Sequence, residues 1–221
     1  MTPSLEALLA PIRHSPQLVE AVDLLQAQIR NERQRRAKFY EEMTPEQKIE
    51  FVDGEVVLHF PARNAHLDAT KNITKLLDTF VELHRLGQVK SEKCLCIFPR
   101  NDYEPDVVFF RADKAATFGA DTMKFPVPDL IVEVLSESTE ARDRGVKFED
   151  FQAHGVGEYW IVDPERQVVE QYLLRAGNYE LTLKSGSGEL KSEAIPGFQI
   201  PVRAIFSAEE NLAALRGLLG K

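Results

Sequence analysis

Cysteine is nearly absent: the 221 residues hold two, Cys94 and Cys96. Two are too few for a disulfide framework. One residue apart on an extended strand, they would point the same way, as small reduced thiols of a core. Half of a metal site is the other use, but no second Cys pair exists to complete it. Low cysteine use fits a reducing cytoplasm. Long apolar runs are missing too. None approaches the ~20 residues a membrane-spanning helix needs. The first residues carry no basic stretch leading to an apolar block and a small-residue cleavage site. The expectation is a soluble, cytoplasmic protein with no membrane partner. Positive charge is also short: 27 Lys and Arg stand against 35 Asp and Glu, a net charge of −8. Coating long nucleic acid needs clustered Lys and Arg, so that class is disfavoured. A nuclease is not excluded, because carboxylates that hold metal add negative charge and a local basic strip can still face DNA.

What is present is an ordinary apolar fraction, 43%, enough for a sizeable core in one domain. Leu18, Val22, Leu25 and Ile29 recur at helical spacing in a helix expected from about Ser15 to Tyr40. Its second half carries Arg30, Arg33, Arg35, Arg36 and Lys38, readable as a phosphate-tracking arm or as a solvated face. From Lys48 to Phe60 the pattern is a hairpin, with Asp53-Gly54 supplying the positive φ angles of a two-residue turn. A second helix is expected after Asn64 as its cap, with Leu67, Ile73, Leu76, Leu77, Phe80, Val81 and Leu83 on its apolar side and Gly87 as its stop. Strands follow at 94–98 and 106–110, then a long loop, a strand at Leu130–Leu135, a helix over 139–154 ended by Gly155, and a strand over 158–163. A meander and a short strand with a small helix complete the chain. This order predicts an α/β (mixed α+β) fold, a mixed central sheet flanked by helices, preceded by an N-terminal helical extension over 1–44.

The sharpest feature is Glu133, set among Leu130, Ile131, Val132, Val134 and Leu135. An ionised carboxylate inside such a strand costs several kcal/mol unless something neutralises it. A core Arg or Lys could do so, and so could a metal ion. Asp106 stands at the mouth of a neighbouring apolar strand, behind Pro105. Two carboxylates converging there make a site for a hard cation, Mg²⁺ or Mn²⁺, with the Val134 carbonyl as a third ligand and waters beyond. Asp143, Lys147 and Phe151 lie four apart and share a helix face. A lysine beside a metal-bound water can orient it and stabilise charge on a phosphate. An ordinary surface pair between Asp143 and Lys147 is the bland alternative.

Pro105-Asp106, Pro128-Asp-Leu-Ile-Val-Glu133-Val-Leu-Ser136, Arg142-Asp-Arg-Gly-Val-Lys147-Phe and Gly155-Val-Gly-Glu-Tyr-Trp-Ile-Val-Asp-Pro164, in that order, resemble the restriction-endonuclease-like family of the PD-(D/E)XK nuclease superfamily. Glu50-Phe-Val-Asp-Gly-Glu55 and Ile195-Pro-Gly-Phe198 extend the match over roughly residues 45–206, and the nuclease-like domain is drawn as 45–221. The resemblance implies a restriction-endonuclease-like core, with Asp106 and Glu133 as the acidic pair. The family's lysine usually sits two residues beyond the second acid. That position is Leu135 here, so the resemblance implies that the lysine has moved to the following helix as Lys147. Glu137 also departs from the pattern, standing where proline is expected. Asp129 makes a second Pro-Asp pair, but one extended strand holds it ~13 Å from Glu133, so Asp106 is preferred.

Glu55 is a further candidate, as an extra metal ligand or a water-orienting group, against the reading of an exposed turn charge. His66 reads as a capping or surface histidine. The expectation is a Mg²⁺-dependent endonuclease acting on DNA, with Asp106, Glu133, Lys147 and Glu55 as its catalytic set. A catalytically silent nucleic-acid-binding or regulatory module of the same fold is the alternative. A third reading is an interaction protein whose carboxylates only make internal salt bridges. A homodimer through the apolar stripe of the N-terminal helix fits an enzyme that cuts two strands.

Overall fold

The structure, a computed structural model, describes residues 5–44 and 46–220. Pro45, where the sequence places the start of the nuclease-like domain, lies outside the described residues. The chain forms two compact units, Met1–His59 with Pro99–Asp102, and Phe60–Phe98 with Tyr103–Lys221. Among the described residues, no helix is long and apolar enough to cross a membrane.

The first unit opens with α1 (Leu5–Arg13) and α2 (Leu18–Glu42). The helix expected from about Ser15 to Tyr40 forms as α2, and a further short helix, α1, precedes it across a turn around Ser15, whose Oγ accepts a hydrogen bond from the Gln17 amide. The expected hairpin forms as β1 (Ile49–Val52) and β2 (Glu55–Leu58), closed at Val52 opposite Glu55. Asp53 and Gly54 both take positive φ, 51° and 83°, as a two-residue turn between twisted strands requires. The C-terminal half of α2 docks by ion pairs and rings. Arg36 Nε donates to Asp102 Oδ2 at 2.7 Å, Arg100 Nε donates to Glu32 Oε2 at 2.8 Å, and Phe39 meets Phe51 at 5.7 Å between ring centroids.

The second unit begins with α3 (Asn64–His84), β3 (Gly87–Ser91), β4 (Leu95–Ile97), β5 (Asp102–Tyr103, which starts in the first unit), β6 (Val107–Arg111), α4 (Ala112–Ala115), β7 (Lys124–Phe125) and β8 (Leu130–Val134). It continues with α5 (Glu140–Asp143), α6 (Val146–Ala153), β9 (Glu158–Asp163), β10 (Val168–Arg175), β11 (Asn178–Ser185), β12 (Glu189–Lys191), β13 (Gln199–Pro201), a 3₁₀ turn and α7 (Ala208–Leu219). Six strands form a mixed sheet in the order β11-β10-β9-β8-β6-β3. β8 and β9 are its parallel pair, and β6 runs antiparallel to β8.

Alternation along the strands divides the sheet into two faces. Val107, Phe109, Leu130, Val132, Val134, Trp160 and Val162 pack against Ile73, Leu77 and Phe80 of α3 and against the C-terminal segment. On the other face Tyr159 meets Phe151 of α6, their centroids 5.2 Å apart. Phe151 also touches Phe98 and Tyr103. Leu67 and Leu83, expected on the buried side of α3, are half exposed instead.

Several boundaries differ from the sequence expectation for local reasons. Asn64 is the first residue of α3 rather than its cap, and its side chain donates to Asp68. Arg85, in the left-handed region at φ 55°, ends α3, which frees Gly87 to open β3 beside β6. The helix expected over 139–154 is broken at Gly145, where a Cβ would stand 2.8 Å from the Ala141 carbonyl oxygen. Cys94 and Cys96 are buried free thiols, as expected of core cysteines.

Glu158 is fully buried at the start of β9 and is satisfied without a cation. Its oxygens accept from Trp160 Nε1, Gln171 Nε2, Ser192 Oγ and the amides of Glu193 and Ala194, at 2.6–2.9 Å. These bonds fasten the 192–194 turn to the sheet.

Glu32 gives the first unit an acid-sensitive joint. The hydrogen bond from Arg100 leads in holding its carboxyl down at about 2, against 4.5 ordinarily. A group depressed on folding stabilises above its unfolded value, and that stability fades as pH falls toward the folded one. Denaturant unfolding between pH 4.5 and 2 is expected to show a smaller acid-induced loss for Glu32→Gln than for the wild type. Equal losses would show that the ion pair does not contribute.

Candidate active site

The register of the central strands brings the two expected acids together. β6 and β8 pair with Val107 opposite Val132 and Phe109 opposite Leu130. One step further, Asp106 stands opposite Glu133. Because Val107 and Val132 point into the α3 core, Asp106 and Glu133 alternate onto the other face, 5% and 3% exposed. Asp106 Oδ2 accepts from the Val134 amide at 2.8 Å, which fixes the carboxylate at the end of β8.

Lys147 comes down on this face from α6. Its Nζ lies 2.9 Å from Glu133 Oε1 and 3.3 Å from Asp143 Oδ1, and 5.7 Å from the centre of the Tyr103 ring. At 1% exposure it is the one fully buried Lys or Arg among the described residues. The expectation that Asp143, Lys147 and Phe151 share a face holds across the break at Gly145, and all three are buried. The Asp143–Lys147 pair exists, but in the interior and shared with Glu133, not as a surface pair.

Two neighbours register the density of negative charge. The Tyr159 hydroxyl is pushed up by burial first, then by Asp143, Glu133 and Asp106. Its proton is donated to the Asp143 carbonyl at 3.0 Å. The Cys96 thiol is pushed up by burial, then by Cys94, Glu133 and Glu104. Glu104, Asp106, Glu133 and Asp143 are all buried. Asp143, Glu133 and Asp106 act together on Tyr159, and the Lys147 ammonium lies against the first two.

His66 is the residue that sequence reasoning undervalued. Its Nε2 lies 3.4 Å from Asp106 Oδ1, and its side chain is 14% exposed. The signal was in the spacing: His66, Ala69, Ile73, Leu77 and Phe80 form one inward row of α3. Glu104 and the rings of Tyr103 and Tyr159 also belong to the cluster and were not singled out. Asp129 sits at the opposite end of β8, where it accepts from Lys114 Nζ and the Arg111 amide. Glu55 lies in the first unit, exposed and ion-paired with Arg35, as the charge of a hairpin turn.

Among the described residues, no three His, Cys, Asp or Glu side chains gather as a metal-holding group. A Mg²⁺ site needs fewer, since that ion keeps several waters and takes one or two carboxylates. Asp106 and Glu133, opposite each other on β6 and β8, are two such carboxylates. The residues therefore fit a hard divalent ion.

The family model described as "Uma2: Putative restriction endonuclease" matches residues 37–203. No curated protein matches the chain. Among solved structures, the chain resembles a "putative nuclease belonging to DUF820" from Anabaena variabilis ATCC 29413, with a TM-score of 0.66 and 16% sequence identity, over 80% of this chain and 96% of that one. At that identity the likeness establishes the fold, restriction-endonuclease-like with a mixed sheet between helices.

Removing the buried ammonium strands Glu133 and Asp143 together. Lys147→Met is expected to lower unfolding stability at neutral pH by about 3 kcal/mol. Adding Glu133→Gln should recover part of that, since one stranded charge is removed. Denaturant titration of both variants checks this, and a Lys147→Met change within about 0.5 kcal/mol of wild type would refute the buried pairing.

Proposed function

We propose a metal-dependent DNA endonuclease on this premise: the chain belongs to the Uma2 family of restriction-endonuclease-like proteins. The observation that carries the proposal is the pairing of Asp106 and Glu133 across β6 and β8, with buried Lys147 against Glu133. Residues 45–221 are taken as the nuclease-like part, and residues 1–44 as a helical extension.

Asp106 and Glu133 would hold Mg²⁺ or Mn²⁺, with the Val134 carbonyl as a further donor. When bound, such an ion supplies a Lewis acid for a phosphate oxygen and lowers the pKa of water. The remaining roles belong to the chain. The Val134 amide and His66 fix the two oxygens of Asp106. Asp143 is a second carboxylate on Lys147, 3.3 Å from its Nζ. Lys147 Nζ orients the attacking water and offsets the charge that builds on the phosphate as the P–O bond to the leaving oxygen breaks. Glu55, exposed and engaged with Arg35, is given no step.

One observation favours the second reading, a silent nucleic-acid-binding module. Lys147 already neutralises Glu133 at 2.9 Å, and Asp143 shares it at 3.3 Å. A stability loss at Lys147 follows from either reading, so metal binding separates them. Titration with Mn²⁺ is expected to saturate in the wild type and to weaken sharply in Asp106→Asn. No saturable binding would favour the silent module.

With supercoiled DNA and Mg²⁺ or Mn²⁺, Asp106→Asn and Glu133→Gln are each expected to slow cleavage by roughly 100-fold or more, with unchanged circular dichroism. Undiminished cleavage by either variant would overturn the assignment.

A further inference from the structure

The 25-residue helix α2 is about 37 Å long and carries one row at alternating steps of four and three. The row runs Leu18, Val22, Leu25, Ile29, Glu32, Arg36, Phe39. Its C-terminal part is spent inside the first unit: Glu32 and Phe39 are buried, and Arg36 is held by Asp102. Its N-terminal part is open. Leu18, Val22, Leu25 and Ile29 are 38–51% exposed. Val19 beside the row is 69% exposed, so an apolar stripe stands open along three turns of the helix.

The pattern selects the occupant. The steps between Leu18, Val22, Leu25 and Ile29 are four, three, four, the same read from either end. Two copies related by a two-fold axis therefore place Leu18 on Ile29 and Val22 on Leu25, an isologous antiparallel seam. The residues beside the seam, Val19, Ala21, Gln26 and Gln28, are uncharged, so close approach meets no like-charge repulsion. Residues 15–29 contain no Lys or Arg but do contain Glu20 and Asp23. Binding to an anionic lipid surface would need the opposite charge.

We propose that the N-terminal half of α2 is the homodimer seam of this protein, with a second copy packed antiparallel through Leu18, Val22, Leu25 and Ile29. This does not rest on the nuclease reading. Sedimentation equilibrium of the full chain is expected to give twice its 25.0 kDa mass. Leu25→Glu and Val22→Glu should each sediment at the single mass with unchanged helix content. Leu24→Glu, which lies off the row, should keep the double mass. Nitroxide labels on Gln17 should stand roughly 20 Å apart along the paired axes. A wild-type chain at the single mass at every concentration, or at the single mass and pelleting with phosphatidylserine vesicles, would overturn the proposal. A double mass retained by Leu25→Glu, or labels side by side, would overturn it as well.

Discussion

The second unit is organised around a buried lysine. A buried ammonium and a buried carboxylate each lose several kcal/mol of hydration, and their attraction repays this only when the geometry is tight. Lys147 meets that condition by touching Glu133 and Asp143 at once. The pair ties α6 to the middle of the sheet, and Phe151, one turn on, seals it among Phe98, Tyr103 and Tyr159. The break at Gly145 belongs to the same solution. It lets α5 and α6 change course while Asp143 and Lys147 keep a common side.

Glu158 makes the contrast that gives Glu133 its meaning. Both are carboxylates on neighbouring central strands, and both are buried. Glu158 is met by five neutral donors from the sheet and the 192–194 turn. That is a structural solution, complete without a cation. Glu133 is met by an ammonium, and two further buried acids, Asp106 and Asp143, lie with it about Tyr159. A fold can bury one acid with dipoles alone. What sets Glu133 apart is the second acid, Asp106, opposite it on β6, and that pairing, rather than burial alone, carries the functional reading.

Much of this was legible in the chain itself. A lone Glu in an apolar strand, an Asp at the mouth of another and a Lys four residues from an Asp are local patterns, and each survives into the structure. The strand alternation that turns Asp106 away from Val107, and Glu133 away from Val132, follows from side-chain period; the register that sets the two acids opposite each other does not. What was not legible depended on contacts between distant segments. The helical spacing of His66 marks its inward side, but nothing nearby in sequence signals its partner Asp106, forty residues on. Gly87 read as a helix stop because its fit against the backbone of β6 is visible only in three dimensions. The four-fold and three-fold spacing of α2 was visible too, but not that its row changes use halfway along.

That change of use follows from the same electrostatics as the active-site face. Where α2 turns charged, Glu32 and Arg36 find partners in Arg100 and Asp102, so the row closes on its own unit. Where it is aliphatic, no buried ion pair holds it, and four apolar side chains stand open to water. Apolar surface left open on this scale raises the free energy of the isolated chain by about 25 cal/mol per Å². A contact that covers it need supply no specific hydrogen bond, only shape and spacing. A palindromic row of Leu, Val, Leu and Ile supplies both to a copy of itself.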